Sequence, residues 1–379
     1  MLLSLCAPLA AMAAVVGTAY SSPHGNVDRA DSTSSPAVIT ACNNSPDLCN
    51  RTYNNITHMG AHDSSFLRDE STSNSLAGNQ FYNATAALDA GIRLLQVQVH
   101  NHKGTIEMCH TMCSLLDAGP LQDWLSKVSV WMDENPNEVV TLVIVNSDGF
   151  DVAQFGSVFK ASGIAKYGYT PSGNGWPTLK SMIKNKKRLV TLIASIDHSS
   201  AYPYLLSEFN YVFETSFEVT SPSGFNCAID RPKSQGSASS ALSTGLLPLV
   251  NHFAYKDLGS GITIPDVDNI NRTNDPSEGG LNGSLGRHLQ TCHAQWNNVK
   301  PAFVLVDFWD MGPAIKAADT INGVTNPVGR KNPASNTDDN NNNTNDPQHD
   351  GSDSKGGRKI ASMGTGAVVA FIAAALVLA

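Results

Sequence analysis

Two histidines that each end a predicted strand carry the chemistry this sequence could perform. The first, His62, follows a short apolar run over 55–59 and Gly60, and Asp63 and Ser64 come directly after it. A histidine beside a carboxylate can act as a general base near neutral pH. Strand ends that meet loops are where α/β enzymes hold such groups, because the rigid sheet aims them and the loop leaves them accessible. The structural alternative is a turn in which His62 is only packed and Asp63 caps the next segment. The sequence of these residues is compatible with both interpretations.

The second histidine, His110, ends a pair of predicted strands. One strand covers 93–100, and a polar connection containing Gly104 leads to the next strand over 105–110. If His62 and His110 both lie at the carboxyl ends of barrel strands, they meet at the mouth of the barrel. Two such histidines can cleave a phosphodiester, because one removes a proton from the attacking hydroxyl and the other protonates the departing alkoxide. One phosphate must then reach both rings, which should be no more than about 10 Å apart.

Alternating apolar and amphipathic segments predict the fold that positions these residues. Eight strands are expected near 55–61, 93–100, 105–110, 139–146, 188–195, 211–218, 247–253 and 302–308. Continuous β-branched runs such as 139–145 are typical of parallel strands covered on both faces. Helices are expected over 121–134, 178–187 and 284–297. The sequence therefore predicts a single α/β domain, a (β/α)₈ TIM barrel that is distorted because its second and third strands follow almost directly.

The sequence around both histidines resembles the X region of phosphatidylinositol-specific phospholipase C. It resembles the secreted fungal phospholipase-C-like phosphodiesterases more closely. The shared text comprises Gly-Ala-His-Asp-Ser at 60–64 and the stretches 78–81, 115–119, 131–133, 146–148, 265–269 and 306–308. The resemblance covers about Cys42 to Val324 and implies a phosphoric diester hydrolase of lipid metabolism. It assigns the base role to His62 and the acid role to His110. It also implies that the carboxylates of Asp63 and Asp307 orient the rings.

The departure from that family lies on the second strand. Phospholipases C need a cation at the phosphate to neutralise developing charge, supplied by an Arg near an Asp or by calcium held on carboxylates. This chain has Gln96 and Gln98, which share one face by the period of two and offer neither a cation nor hard anionic ligands. Asn146 falls near the place of a further calcium ligand. We therefore expect no metal and no cofactor in the mouth, and slow turnover.

Four polar residues are expected to bind substrate: Gln96, Gln98, Glu214 and His252. Glu214 lies in the sixth predicted strand and could accept hydrogen bonds from substrate hydroxyls. His252 lies at the end of the seventh strand, where a packed barrel histidine is an equal alternative.

Three functions stay open. The first is two-histidine cleavage of a phosphoinositide or a related lipid phosphodiester. The second is a catalytically weak or inactive barrel that serves as a cell-surface or wall-associated binding module. The third, a glycerophosphodiester or sphingolipid phosphodiesterase, would need Mg²⁺ or Ca²⁺ on second-strand carboxylates, and Gln96 and Gln98 count against it. A formal net charge of −8 and a pI near 5.7 argue against a nucleic-acid partner.

The two ends of the chain predict export and anchoring. Residues 1–19 are apolar and uncharged, which is typical of a signal peptide, and 20–41 read as a disordered leader. Residues 326–359, rich in Asn, Asp, Ser and Gly, predict a flexible stalk after a domain over 42–325. Residues 360–379 end apolar with no basic stop, which favours a glycosylphosphatidylinositol attachment signal over a spanning helix. We expect a monomer that is exported and anchored at the plasma membrane or cell wall.

The cysteines agree with export. Seven cysteines are present, and once Cys6 leaves with the signal peptide six remain, an even number that suggests three disulfides. Closeness in sequence favours Cys42–Cys49 and Cys109–Cys113, leaving Cys227–Cys292, although six cysteines allow fifteen pairings. Glycosylation sequons, which fit a glycoprotein, occur at Asn43, Asn50, Asn55, Asn83, Asn271, Asn282 and Asn342.

Overall fold

The structure, a computed structural model, describes residues 39–260 and 262–333. The predicted signal peptide, most of the predicted leader, the stalk beyond residue 333 and the predicted attachment signal lie outside the described residues. Within the described ranges, no helix is both long and apolar enough to cross a membrane.

The described ranges contain twelve strands and eight α-helices. The strands are β1 His58–Ala61, β2 Leu94–His102, β3 Thr105–Cys109, β4 Asp117–Pro120, β5 Val140–Asn146, β6 Leu189–Ile193, β7 Leu205–Ser207, β8 Val212–Glu214, β9 Leu247–Asn251, β10 Tyr255–Asp257, β11 Thr263–Pro265 and β12 Phe303–Val306. The helices are α1 Ala84–Ala90, α2 Leu121–Glu134, α3 Val152–Ala161, α4 Leu179–Lys184, α5 Ala238–Ser243, α6 Ile270–Thr273, α7 Leu285–Gln295 and α8 Ile315–Asn322.

Eight parallel strands form the wall of a barrel. Their hydrogen-bonded order is β7–β6–β5–β2–β1–β12–β9–β8, and each neighbouring pair is parallel. Within the described chain the path ends at β7 and β8, so the wall is open between these two short strands. The predicted distorted (β/α)₈ barrel is thereby confirmed.

Alternation along the strands decides which residues face the barrel interior. Leu95 and Val97 of β2 pack with the helices in the outer apolar layer, whereas Leu94 belongs to the separate inner cluster. Because side chains alternate, Gln96 and Gln98 share the inner face with Leu94. The same rule places His62 and Asp307 on the inner side, since Ala61 and Val306 lie in the outer layer.

The prediction that residues 105–110 form a barrel strand is wrong. Residues 105–109 are β3, which pairs antiparallel with β2 and with β4, outside the ring of eight. The barrel strand that the sequence did not predict is β7, whose three residues are too few to show a period. His110 nevertheless reaches the mouth, because the β2–β3 hairpin folds back and Met108 lies opposite Val99.

Contacts near the end of the described chain tie it to the barrel. The Val328 amide donates to the Asn44 carbonyl, and the Arg330 guanidinium pairs with both oxygens of Asp319. Lys331 lies 3.2 Å from the Asp89 carboxylate. The limits of the domain, placed at 42 and 325 from composition, stay a prediction.

Three disulfides connect the six described cysteines as closeness in sequence suggested. They join Cys42 to Cys49, Cys109 to Cys113, and Cys227 to Cys292. The second closes a four-residue step around His110 and so restrains the segment that carries it.

Gly60 of β1 provides a test of how tightly the barrel interior is packed. A Cβ at this position would lie 2.6 Å from Leu94 Cγ and 2.8 Å from Leu94 Cβ, so the neighbouring strand would have to move. We expect Gly60→Ala to lower the free energy of unfolding by about 1–3 kcal/mol, as overpacking of a core does. Urea denaturation measures this.

Gly279→Ala is the matched control, because a Cβ there meets nothing within 4 Å. It should leave the unfolding free energy within about 0.5 kcal/mol of the wild type. Equal stabilities of the two variants would show that the β1–β2 contact is looser than the structure has it.

Candidate active site

His62 lies just beyond β1 and is held on three sides. Its Nδ1 is 2.8 Å from Asp307 Oδ1, and the Phe253 ring stacks on its face at 3.6 Å between centroids. Its backbone amide donates to the Val306 carbonyl, which continues the β1–β12 pairing. Since Nδ1 carries the proton shared with Asp307, Nε2 is the nitrogen left to take up or release a proton.

One carboxylate oxygen joins the two histidines. Asp63 Oδ2 lies 3.6 Å from His62 Nε2 and 3.6 Å from His110 Nε2. The two Nε2 atoms are therefore separated by at most twice that distance, which is within reach of a single phosphate. Asp63 is 5% exposed, and its other oxygen has no hydrogen-bond partner among the described residues.

The residue after each of the three central side chains has a left-handed backbone. Asp63 follows His62 with φ 45°, Thr111 follows His110 with φ 61°, and Phe308 follows Asp307 with φ 43°. Such a conformation costs a non-glycine residue roughly 1–2 kcal/mol. Strain of this kind gathers at sites where the surrounding structure fixes the backbone.

Each left-handed residue has its amide held by a carbonyl oxygen. The Asp63 amide donates to Gln96 Oε1 at 2.6 Å, and the Thr111 amide donates to Gln98 Oε1 at 3.0 Å. The Phe308 amide donates to the Asn79 backbone carbonyl at 2.8 Å. Gln98 Nε2 in turn donates to Ser147 Oγ at 3.1 Å. Gln96 and Gln98 thus bind the backbone of the loops that carry the histidines. From the sequence, both were expected to bind substrate.

Glu214 lies on the inner face at the end of β8 but is already paired. Arg231 Nη2 contacts its Oε2, Arg231 Nε lies 3.1 Å from the same oxygen, and Asn251 Nδ2 donates to it at 3.2 Å. Although burial by itself raises the pKa of Glu214, the Arg231 guanidinium lowers it overall. Burial, and then the neighbouring Glu214, raise the pKa of Glu208 well above its usual value.

His252 is not part of the site, which corrects the expectation that it binds substrate. Its parity on β9 is that of Val250, which packs in the outer layer, and its side chain is fully buried. Nδ1 lies 2.9 Å from His288 Nδ1 and Nε2 lies 2.8 Å from the Thr273 carbonyl, so both ring nitrogens are engaged. The alternative of a packed barrel histidine describes it.

Charges around the two histidines shift their pKa values in opposite directions. Burial by itself lowers the pKa of His62, but the carboxylates of Asp63 and Asp307 raise it overall. Burial lowers the pKa of His110; Asp63 opposes this, His62 adds to it, and Asp307 opposes it further. In the substrate-free site the first proton therefore binds to His62.

The side chains of Gln98 and Asn146, which stand at the positions considered for calcium ligands, are engaged by protein groups. Gln98 uses both ends of its amide, and Asn146 bonds both the amide and the carbonyl of Phe150. Calcium takes six to eight oxygen ligands, several of them carboxylates. Across the described ranges, the one group of three or more clustered ligand-type side chains is Cys227, His288 and Cys292, whose cysteines form a disulfide.

Three residues that complete the site were not found from the sequence. Asn79 Nδ2 donates to Asp307 Oδ1 at 3.1 Å and lies 3.4 Å from His62 Nδ1. Phe253 covers the His62 ring, and Arg231 pairs with Glu214. Asn79 stands in one of the stretches shared with the fungal phosphodiesterases, which was the one available signal. Nothing local marks Phe253 or Arg231, whose roles depend on distant partners.

A distorted TIM barrel with two histidines bridged by a carboxylate at its mouth defines the class of this protein. The family model for the PI-PLC X domain, described as PI-PLC X 1, matches residues 48–322. The chain belongs to the PI-PLC X family.

Named relatives cover most of the chain. It is 39% identical over 289 residues to the PI-PLC X domain-containing protein 1 of Arthroderma benhamiae, covering 75% of this chain and 90% of that protein. It is 34% identical over 302 residues to an uncharacterized secreted protein of the same fungus, covering 76% and 66%. Among solved structures, the phosphatidylinositol-specific phospholipase C from Listeria monocytogenes aligns over 72% of this chain and 95% of its own with 14% identity and a TM-score of 0.46.

Histidine titration tests the influence of the two carboxylates. Asp307→Asn removes an anion that favours both imidazolium ions and the hydrogen bond to His62 Nδ1, so we expect the pKa of His62 to fall, and that of His110 to fall less. Asp63→Asn should lower the pKa of both His62 and His110, because Asp63 raises both. Asparagine also tolerates the left-handed backbone at this position. NMR titration of the ring protons measures both effects.

Asp148→Asn is the matched control. Asp148 lies 3.2 Å from His100 and is not among the groups that shift the pKa of His62, so its removal should leave the His62 titration unchanged. A pKa of His62 that is insensitive to Asp307→Asn would contradict the 2.8 Å contact.

Proposed function

We propose that the protein is a phosphoric diester hydrolase that cleaves a lipid phosphodiester with His62 and His110. The observation that carries the proposal is the position of Asp63 Oδ2, 3.6 Å from the Nε2 of each histidine. The proposed reaction needs no cofactor, because side chains of the described residues carry out both proton transfers. Each histidine that acts as a general acid or base typically contributes ~10²–10⁴ in rate.

The reaction uses both nitrogens in turn. His62 Nε2 takes the proton of the attacking hydroxyl while that oxygen forms a bond to phosphorus. The bond from phosphorus to the leaving oxygen breaks, and His110 Nε2 gives its proton to the departing alkoxide. Asp307 stabilises the imidazolium that forms on His62, and Asn79 holds Asp307 in place.

The bound substrate sets these roles. Without substrate the pKa of His62 is raised and the pKa of His110 is lowered, so the proton starts on the residue that must act as base. A phosphate anion beside His110 favours the charged form of that ring, because an opposite charge nearby raises a histidine pKa. Asp63, equally distant from both nitrogens, stabilises a proton on either.

The surface around the mouth supports a lipid substrate. Five large apolar side chains are exposed on segments that follow the carboxyl ends of β1, β3 and β9: Leu76, Met112, Leu115, Leu258 and Leu281. We take these exposed apolar side chains as the candidates for contact with lipid, since a contiguous exposed apolar patch marks interaction with a membrane or a partner. A phosphoinositide or a related lipid is the substrate class that fits both the family and this surface.

A binding module is the second candidate, favoured by the second strand. Gln98 has both ends of its amide engaged by protein groups, and neither it nor Gln96 supplies a cation. Loss of an electrostatic contact to the transition state commonly costs ~2.7–4 kcal/mol per group. A barrel that binds the headgroup but turns it over below detection would fit this observation.

We also propose that the protein is exported and held at the cell surface through a glycosylphosphatidylinositol anchor, as a monomer. The support is the sequence of residues 1–19 and 360–379, together with the printed name of one relative as secreted. Peptide mapping of the mature protein tests it, since recovery of residues 364–379 would exclude the anchor.

A change of leaving group tests the assignment of the two histidines. His110→Ala should lower the rate on phosphatidylinositol by ~10²–10⁴. On an inositol phosphodiester that releases p-nitrophenol it should cost far less, because this leaving group departs without a proton. His62→Ala should slow both substrates. Initial rates at fixed pH measure the difference.

The opposite pattern would reverse the roles. If His62→Ala is rescued by the p-nitrophenyl substrate and His110→Ala is not, His62 is the acid. Headgroup binding without turnover of either substrate would select the binding module.

A further inference from the structure

Gln96 and Gln98 lie on the second strand at the positions where the sequence analysis expected charged residues. Their side chains contact the backbone of the loops that hold the two histidines. Both side chains point from the inner face of β2 toward the mouth, and each reaches a different loop. Gln96 Oε1 accepts from the Asp63 amide, and the Gln96 backbone carbonyl accepts from the Ser64 amide and hydroxyl. Gln98 Oε1 accepts from the Thr111 amide.

The two acceptors hold backbone that would otherwise relax. Asp63 and Thr111 both have positive φ, and Thr111 is β-branched, which makes that conformation an outlier. If either turn relaxed toward ordinary φ, the preceding histidine would change its direction. A misplacement of about 1 Å at a reacting group can cost 10²-fold in rate.

An amide is the side chain that meets this need at the lowest electrostatic cost. Arginine has no acceptor and could not bind a backbone N–H at either position. A carboxylate could accept, but it would add negative charge beside the buried Asp63 and the substrate phosphate, where like charges repel. Glutamine accepts without charge.

We propose that Gln96 and Gln98 are positioning residues, Gln96 for the His62–Asp63 pair and Gln98 for His110. This assignment rests on the proposed phosphodiesterase function, and it replaces substrate binding as the role of both glutamines. It predicts that each glutamine acts on one half of the acid–base pair.

The leaving-group pair of substrates separates the two halves. Gln98→Leu should lower kcat on phosphatidylinositol by about 10²-fold and spare the p-nitrophenyl substrate, the signature expected of His110→Ala. Gln96→Leu should slow both substrates. KM should stay unchanged for Gln98→Leu, since both ends of the Gln98 amide are engaged by protein groups. Gln98→Glu keeps an acceptor for Thr111 and should recover part of the loss.

Gln122→Leu is the control, since Gln122 is an exposed residue of α2 and the hydrogen bond it makes to Ser126 uses its backbone carbonyl, which the substitution leaves in place. It should leave both rates unchanged. An equal loss on both substrates for Gln98→Leu, or a rise in KM with kcat unchanged, would overturn the positioning role.

Amide hydrogen exchange tests the same assignment without any substrate. The Thr111 amide should exchange faster in Gln98→Leu than in the wild type and should stay protected in Gln98→Glu. The Asp63 amide should respond to Gln96→Leu alone. If exchange responds in this way but no phosphodiester is cleaved, the proposed function fails and the positioning contacts stand. If exchange is unchanged in the leucine variants, the inference is wrong even in an active enzyme.

Discussion

The site depends on three residues that hold a left-handed backbone conformation, which costs free energy in a residue other than glycine. Three residues with positive φ follow His62, His110 and Asp307, the two histidines of the site and the carboxylate that holds the His62 ring. Each has its amide bound by a carbonyl from a different segment, so the strain is balanced by contacts that exist only in the folded barrel. The geometry of the site therefore depends on the packing of the barrel strands, and weakening the β1–β2 contact would disturb it.

Buried charge is the second constraint. Asp63 and Asp307 are almost completely buried, and each retains one oxygen without a hydrogen-bond partner among the described residues. Buried carboxylates of this kind are costly unless a positive partner is present. The proton on His62 supplies that partner, which explains why its pKa is raised although burial opposes it. Phe253, stacked on the ring, limits the access of water that would weaken these interactions.

The sequence predicted the parts of the structure that depend on local pattern. The runs of β5 and β12 and helix α2, which spans the predicted residues 121–134, follow from apolar periodicity. His62 and His110 were found because histidines ended predicted strands. The antiparallel path of β3 was missed, since a short strand shows no direction, and β7 was missed because it has three residues.

The roles of Gln96, Gln98 and His252 could not be predicted from the pattern of apolar and polar residues in the sequence. Parity places both glutamines on the inner face, but only the folded loops show that their acceptors are taken by backbone amides. His252, the residue after β9, was a candidate for substrate binding. Its side chain has the parity of Val250, so it faces outward and contacts His288. In each case the deciding contact joins residues far apart in sequence.

We propose that His62 and His110 cleave a phosphodiester without bound calcium. The most direct measurement is hydrolysis of phosphatidylinositol by the purified protein with and without a calcium and magnesium chelator, beside a variant lacking both His62 and His110. The account predicts slow cleavage that the chelator leaves unchanged and that the double variant loses. Activity abolished by the chelator, or no activity above the double variant, would contradict it.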